Sequence, residues 1–314
     1  MCEFNQTQVT QIKLLGFRGL YKFRILLFIG FLLTYIMILS GNMLIMVLVS
    51  VVDQLKIPMF FFLKHLATSD VLLTTSVLPM TLEVIIKDER QLPLVGCITQ
   101  LYCFGICSYL QCFLIATMSY DRYLAICNPL RYPSLMNTHV CLQVIIWLCV
   151  FVFILLSSEM IVVYRLNYCG PNFIDHFFCD FGPIVDLSTS DTSALMLQDF
   201  FISIITIFLP FAFIIITYIC ILVTILKISS AYGRKKAFST CSSHLTLVGA
   251  FYGALIIVYM TPSDDSSSYI NKYRSLLYVV VSPLINPIIY SLRNHEIKTA
   301  LQKTFTNFNY FVQK

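Results

Sequence analysis

Long uncharged apolar stretches alternate with short polar segments along almost the whole chain. Six are clean: Ile25–Val52, Leu92–Tyr120, Val140–Ser158, Phe200–Leu226, Ala237–Ser263 and Ser275–Leu292. A seventh, from about Pro58 to Leu82, is interrupted by Lys64, His65 and Asp70. A bilayer core is crossed by roughly 20 apolar residues in a helix. Barrel strands are shorter and alternate in polarity, so helices are the expected form. The pattern therefore predicts an all-α, seven-transmembrane helix bundle.

Composition agrees. The chain has 314 residues, of which 58% are hydrophobic and 12% charged, with a mean hydropathy of +0.81. A soluble domain would be about a quarter charged. Residues 1–24 are polar and mixed, and the first apolar run is too long for the core of a cleaved signal peptide, so it reads as a span that stays. Prolines within spans (Pro210, Pro287 and Pro79) predict bends, because proline lacks the N–H that continues the helix.

Charge orients the bundle. One set of loops holds Lys56, Arg122 and Arg131, then Lys227, Arg234, Lys235 and Lys236, then Arg293, Lys298 and Lys303. The opposite set is balanced or acidic, with Asp175, Asp180, Asp186 and Asp191 in its longest member. The positive-inside rule puts the first set in the cytoplasm and the N-terminus outside. Lys13, Arg18, Lys22 and Arg24 argue the other way and are outweighed by the agreement among the later loops. The expected organisation is an extracellular tail over 1–24, the bundle over 25–292, and a cytoplasmic tail over 293–314. In that tail Ile297, Ala300, Leu301 and Thr304 have helical spacing, predicting an amphipathic helix on the inner leaflet. Asn5 heads the one N-x-Ser/Thr sequon, in the segment assigned outside, and is the expected glycosylation site. The net charge of +5 attracts anionic membrane lipid. No basic domain or aromatic-basic face calls for nucleic acid.

Within this frame, separated motifs converge. Gly41-Asn42 lies in the first span, and Ile57-Pro58-Met59-Phe60-Phe61-Phe62-Leu63 leads to Ser69-Asp70 in the second. Met118-Ser119-Tyr120-Asp121-Arg122-Tyr123-Leu124-Ala125-Ile126-Cys127 ends the third. Lys236-Ala237-Phe238-Ser239-Thr240-Cys241 enters the sixth, and Pro283-Leu284-Ile285-Asn286-Pro287-Ile288-Ile289-Tyr290 closes the seventh. From about Gly41 to Asn294 the chain resembles the rhodopsin-like G-protein-coupled receptors, and within them the odorant (olfactory) receptors.

The resemblance implies a plasma-membrane protein that is not an enzyme and needs no cofactor. Its partners would be a small volatile or weakly polar ligand and a heterotrimeric G protein of the stimulatory, cAMP-raising class. Phe104, Gly105, Ser108 and Tyr109 from the third span and Tyr252, Ile256 and Tyr259 from the sixth would line the ligand cavity. Asp121, Arg122 and Tyr123 would form the cytoplasmic switch, with Tyr218 and Tyr290 swinging toward Arg122 and His244 flanking the opening. Asp70 would centre a polar network with Asn42 and Asn286. Odorant receptors often place an acid where this chain has Gln111, so a hydrogen-bond network is expected here and a sodium site is in doubt. Cys97 and Cys179 would form the disulfide that pins the long loop. A second loop pair is usual, but Cys169 faces Thr189 in place of a cysteine, so a free thiol is expected there. Phe104 occupies the place where amine receptors carry an acid, leaving a protonated amine without a counter-ion on that span. Ser275–Leu292 contains no Lys, which excludes a retinal Schiff base there.

His176-Phe177-Phe178-Cys179-Asp180 could alternatively be read as a metal site, unless the bridge takes the Cys179 thiolate. A transporter needs a series of polar groups along a path, and Lys64, Asp70, Glu159 and His244 do not form one. An intramembrane hydrolase needs a Ser/His or paired-Asp arrangement, which is lacking.

Overall fold

The computed structural model describes residues 9–169, 171–260 and 268–312. Asn5 lies outside them, and the side chain of Tyr259 is likewise outside the description. Five helices are each long and apolar enough to cross a bilayer: α1 (Arg24–Val51), α2 (Pro58–Lys87), α3 (Leu94–Cys127), α4 (Thr138–Arg165) and α5 (Ser193–Leu226). Next comes α6 (Ala231–Met260), with the apolar stretch Cys241–Ile257. Ser268–Leu276, Leu277–Val281 and Ser282–Arg293 follow one another as α7. Last is α8 (His295–Val312), and Glu296–Thr304 is turned 79° from Lys272–Ser291. A sideways turn of this kind suits a helix with one apolar stripe, since Ile297 and Ala300 are buried against the bundle.

The helices pack as one bundle with α3 at its centre, touching α2, α4, α5 and α6. Outward-facing positions are apolar, among them Leu33 and Met37 on α1 and Trp147 and Ile154 on α4, as a lipid-facing surface requires. Lipid tails are as apolar as the side chains, so packing and interhelical hydrogen bonds carry association. Ser69 Oγ donates to the Cys107 carbonyl at 3.0 Å, and Tyr102 Oη pairs with Ser157 Oγ at 2.8 Å. A Cβ on Gly41 would lie 3.0 Å from Pro287 Cγ, so glycine there permits the close approach of α1 and α7.

Proline acts differently from a simple kink in two helices. Ile204–Phe208 and Leu277–Val281 are π-helical turns, each lying just before a proline, Pro210 and Pro283. The wider turn moves the carbonyl that the proline ring would strike, which explains its position. Pro79 and Pro287 sit within otherwise helical segments.

Residues 9–23 are more than the polar tail expected from their composition. Gln11–Leu14 forms β1, which pairs antiparallel with β2 (Arg90–Pro93) and parallel with β3 (Phe173–Ile174) of the long loop. Ile12 and Leu14 are completely buried, giving this short sheet an apolar underside over the bundle mouth. Lys272 at the start of α7 reaches across, donating to the Gly16 carbonyl at 2.8 Å and pairing with Asp175.

Cys97 and Cys179 are bridged, with Cα atoms 5.4 Å apart. The expected free thiol at Cys169 is corrected: it is disulfide-bonded, to a partner outside the described residues. Opposite it, the Thr189 N–H donates to the Asn167 carbonyl at 2.9 Å, and Tyr168 bridges to Ser188. Backbone hydrogen bonds therefore join these strands where a second cysteine is missing.

Replacing Cys97 by Ser is expected to remove about 2–4 kcal/mol of stability, measured as lost resistance to thermal unfolding in detergent. A second expectation concerns His176, which is buried in the loop with Nε2 unpartnered. Burial holds its pKa below the ordinary 6.5. Protons then bind the unfolded chain more tightly, so stability present above about pH 6.5 is lost as pH falls. Melting curves from pH 7.5 to 5 should show this slope, and His176→Gln should flatten it.

Candidate functional site

Two sites occupy opposite ends of α3. Toward the loop side lies a cavity of about 230 Å3. Its α3 wall is one helical face, Phe104, Gly105, Ser108 and Cys112 at three- and four-residue spacing, with Tyr109 beside it. Phe178 of the loop covers it, its ring 5.3 Å from that of Phe104, and Tyr278 of α7 closes another side at 5.8 Å from Phe104. The volume is below the roughly 300–1,000 Å3 of drug-sized sites. A Cβ on Gly105 would meet Leu156 Cδ2 of α4 at 3.2 Å, so glycine sets the closeness of α3 and α4 here.

On α6 the lining residue is Leu255, and the expectation for Ile256 is corrected. Ile256 is 49% exposed on the outer face of the helix; one residue's displacement turns a helical side chain by about 100°. Tyr252 is buried below the floor, 4.6 Å from the Phe211 ring and beside the Cys112 thiol. Cys112 lines the cavity, so Tyr252 touches its floor from beneath.

Two acids reach the cavity that sequence reasoning did not place there. Glu159 of α4 and Asp199 of α5 both line it and lie close enough to interact electrostatically. Glu159, directly after the run Val140–Ser158, was legible only as a polar group on a possible transport path. The missing acid on α3, with Phe104 in its place, is thus not the whole electrostatic account.

Midway along the bundle, Asp70 is fully buried. Gln111 Nε2 donates to its Oδ1 at 2.9 Å, and Asn286 Nδ2 donates to its Oδ2 at 2.8 Å. Asn42 is buried nearby but donates to the carbonyls of Ile38 and Pro283, both at 3.0 Å. The arrangement links α2, α3 and α7 through one carboxylate, and α1 to α7 through one amide.

At the other end of α3, Asp121 Oδ2 lies 3.3 Å from an Arg122 guanidinium nitrogen. Tyr132, in the short helix after α3, donates to Asp121 Oδ1 at 2.8 Å. Arg122 is nearly buried and its Nε has no partner. Tyr123 stacks on Tyr120 at 6.1 Å. Tyr218 does not meet Arg122 here; its hydroxyl bonds His244 Nδ1 at 2.6 Å, joining α5 to α6. Tyr290 is completely buried with an unpartnered hydroxyl. No spacing rule pairs Tyr218 with His244, since they sit on different helices. The alternative metal reading of 176–180 fails on Cys179, whose sulfur is in the bridge.

A seven-helix bundle with a covered cavity at one end and a restrained Arg at the other defines a rhodopsin-like receptor. The family model for the olfactory receptor matches residues 31–308. The chain is 44% identical over 311 residues to olfactory receptor 5P81 of Mus musculus, covering 98% of both chains. To olfactory receptor 10A7 of Homo sapiens it is 42% identical over 308 residues, covering 98% of this chain and 96% of the relative. The chain belongs to the olfactory receptor family. It is therefore a multi-pass plasma-membrane receptor of the G-protein-coupled class and not an enzyme, with a small ligand and a G protein as its classes of partner.

Gln111→Leu would leave Asp70 Oδ1 unpaired and should cost about 1–3 kcal/mol. Gln111→Glu supplies a second buried carboxyl beside Asp70, so sodium chloride should raise the melting temperature of that variant more than potassium chloride does. The unaltered chain should show no difference between the two salts.

Proposed function

We propose that this odorant receptor binds a small ligand of largely apolar surface in the cavity beneath the loop. Binding activates a heterotrimeric G protein of the stimulatory, cAMP-raising class. The N-terminus is extracellular, with Asn5 glycosylated, and α8 lies on the inner leaflet among anionic lipids. The observation that carries this reading is that one helix, α3, supplies both the cavity wall at Phe104–Cys112 and the restrained Arg122. The stimulatory class follows from the resemblance to odorant receptors.

The proposed cycle uses contacts already described. In the resting form Asp121 neutralises Arg122, while Tyr132 holds Asp121. The Tyr218–His244 bond keeps α5 and α6 together at the cytoplasmic side. A ligand pressing on Leu255 and Tyr278, with Tyr252 beneath, favours an outward position of α6. Ligand binding thereby shifts an equilibrium that exists without it. Tyr218 and Tyr290 then become free to meet Arg122, which turns to the C-terminal helix of the G protein. Asn42, Asp70, Gln111 and Asn286 transmit the change by exchanging amide and carboxylate partners.

Arg122→Ala, at equal surface expression, should lower ligand-driven cAMP accumulation at least about tenfold, equivalent to ~1.4 kcal/mol. Asp121→Asn removes the buried restraint and should raise ligand-independent cAMP by about fivefold, the shift produced by roughly 1 kcal/mol. Unchanged signalling in both variants would contradict this role for the pair.

A further inference from the structure

We propose that Glu159 and Asp199 form a recognition site for the protonated amine of a small ligand bound in the cavity. It deepens the receptor reading above and rests on that cavity being the ligand site.

Glu159 is 1% exposed. Its Oε1 has no hydrogen-bond partner, although the residue lines a cavity with room for a ligand. A charged carboxylate within a membrane span is costly, and such residues are paired or functional. Among the described residues a second acid, Asp199 on the adjacent helix, lines the same cavity and interacts with it. Two carboxylates in a desolvated site cannot both ionise without a cation between or beside them. Either they share a proton or they hold a positive group.

The rest of the wall favours the positive group as ligand. Asp180 is a third acid on the cavity surface, and no Lys, Arg or His lines it among the described residues. Lys272, which reaches the covering loop, is paired with Asp175 and the Gly16 carbonyl. An ammonium group brings three N–H donors and no acceptor, which matches a wall offering carboxylate oxygens. The opposite side of the cavity is apolar, with Phe104, Phe178 and Leu255, so it suits a short hydrocarbon body. An ammonium bound beside the singly protonated pair balances its one negative charge, so the pair and ligand together are neutral with the shared proton kept in place.

The test compares cyclohexylmethylamine with cyclohexylmethanol, which have the same skeleton and differ in charge. Binding is read as the melting-temperature shift of the purified full chain in detergent, and signalling as cAMP in cells. The amine should bind at least about tenfold more tightly than the alcohol, ~1.4 kcal/mol. Glu159→Gln and Asp199→Asn should each erase most of that preference, and Glu159→Asp should keep part of it. Equal binding of amine and alcohol to the unaltered chain overturns the inference without reference to any variant. So does an amine preference that survives both substitutions. Alcohol-driven signalling without an amine preference would remove this inference and leave the receptor reading intact. Amine binding lost in the two variants, but without G-protein activation, would do the reverse.

Discussion

The carboxylate of Asp70 is the constraint around which the bundle is arranged. It lies fully buried at mid-span, where an unpaired charge is costly. The fold answers with two amide donors from two other helices, Gln111 and Asn286. Those bonds fix the depth of α2, α3 and α7 relative to one another, which generic lipid-like packing cannot do. Asn42 adds α1 by bonding the Pro283 carbonyl, just past the π-helical turn of α7. The same contacts are exchangeable, because amides and carboxylates can trade partners at little cost. A mid-membrane polar network is thus both a register device and a place where the bundle can rearrange.

From this centre α3 extends in two directions. Toward the loop it presents a small-residue and aromatic face to the cavity, with the Cys97–Cys179 bridge anchoring the loop at its start. At its other end it carries Asp121 and Arg122, with Tyr132 holding Asp121. The cover over the cavity is tied down by the bridge, by the β1–β3 pairing, and by Lys272 reaching Gly16 and Asp175.

Much of this was legible in the sequence, because a bilayer enforces a simple rule. Seven apolar stretches and the basic loops gave the bundle, and Cys97, Cys179, Asp70, Gln111, Asn286 and Arg122 were found from motif positions. What was not legible depends on contacts between distant segments. The β1 strand looked like polar tail because Gln11 and Lys13 alternate with Ile12 and Leu14, a four-residue pattern too short to stand out. Ile256 was placed one residue from the true lining position, Leu255, an error that helical rotation turns into the opposite face. Cys169 was read as free because its opposite number is Thr189, yet it found a partner elsewhere. The meeting of Glu159 with Asp199, and of Tyr218 with His244, joins residues 40 and 26 positions apart whose proximity only the packing of α4 on α5 and α5 on α6 creates.

The proposed signalling requires α6 to move away from α3 when Arg122 engages the G protein. Spin labels at Asn128 and Arg234, with the separation measured before and after adding nucleotide-free stimulatory G protein, test this directly. The separation should widen, and it should not widen when Arg122 is Ala. A separation that stays fixed while the G protein is bound would contradict the account.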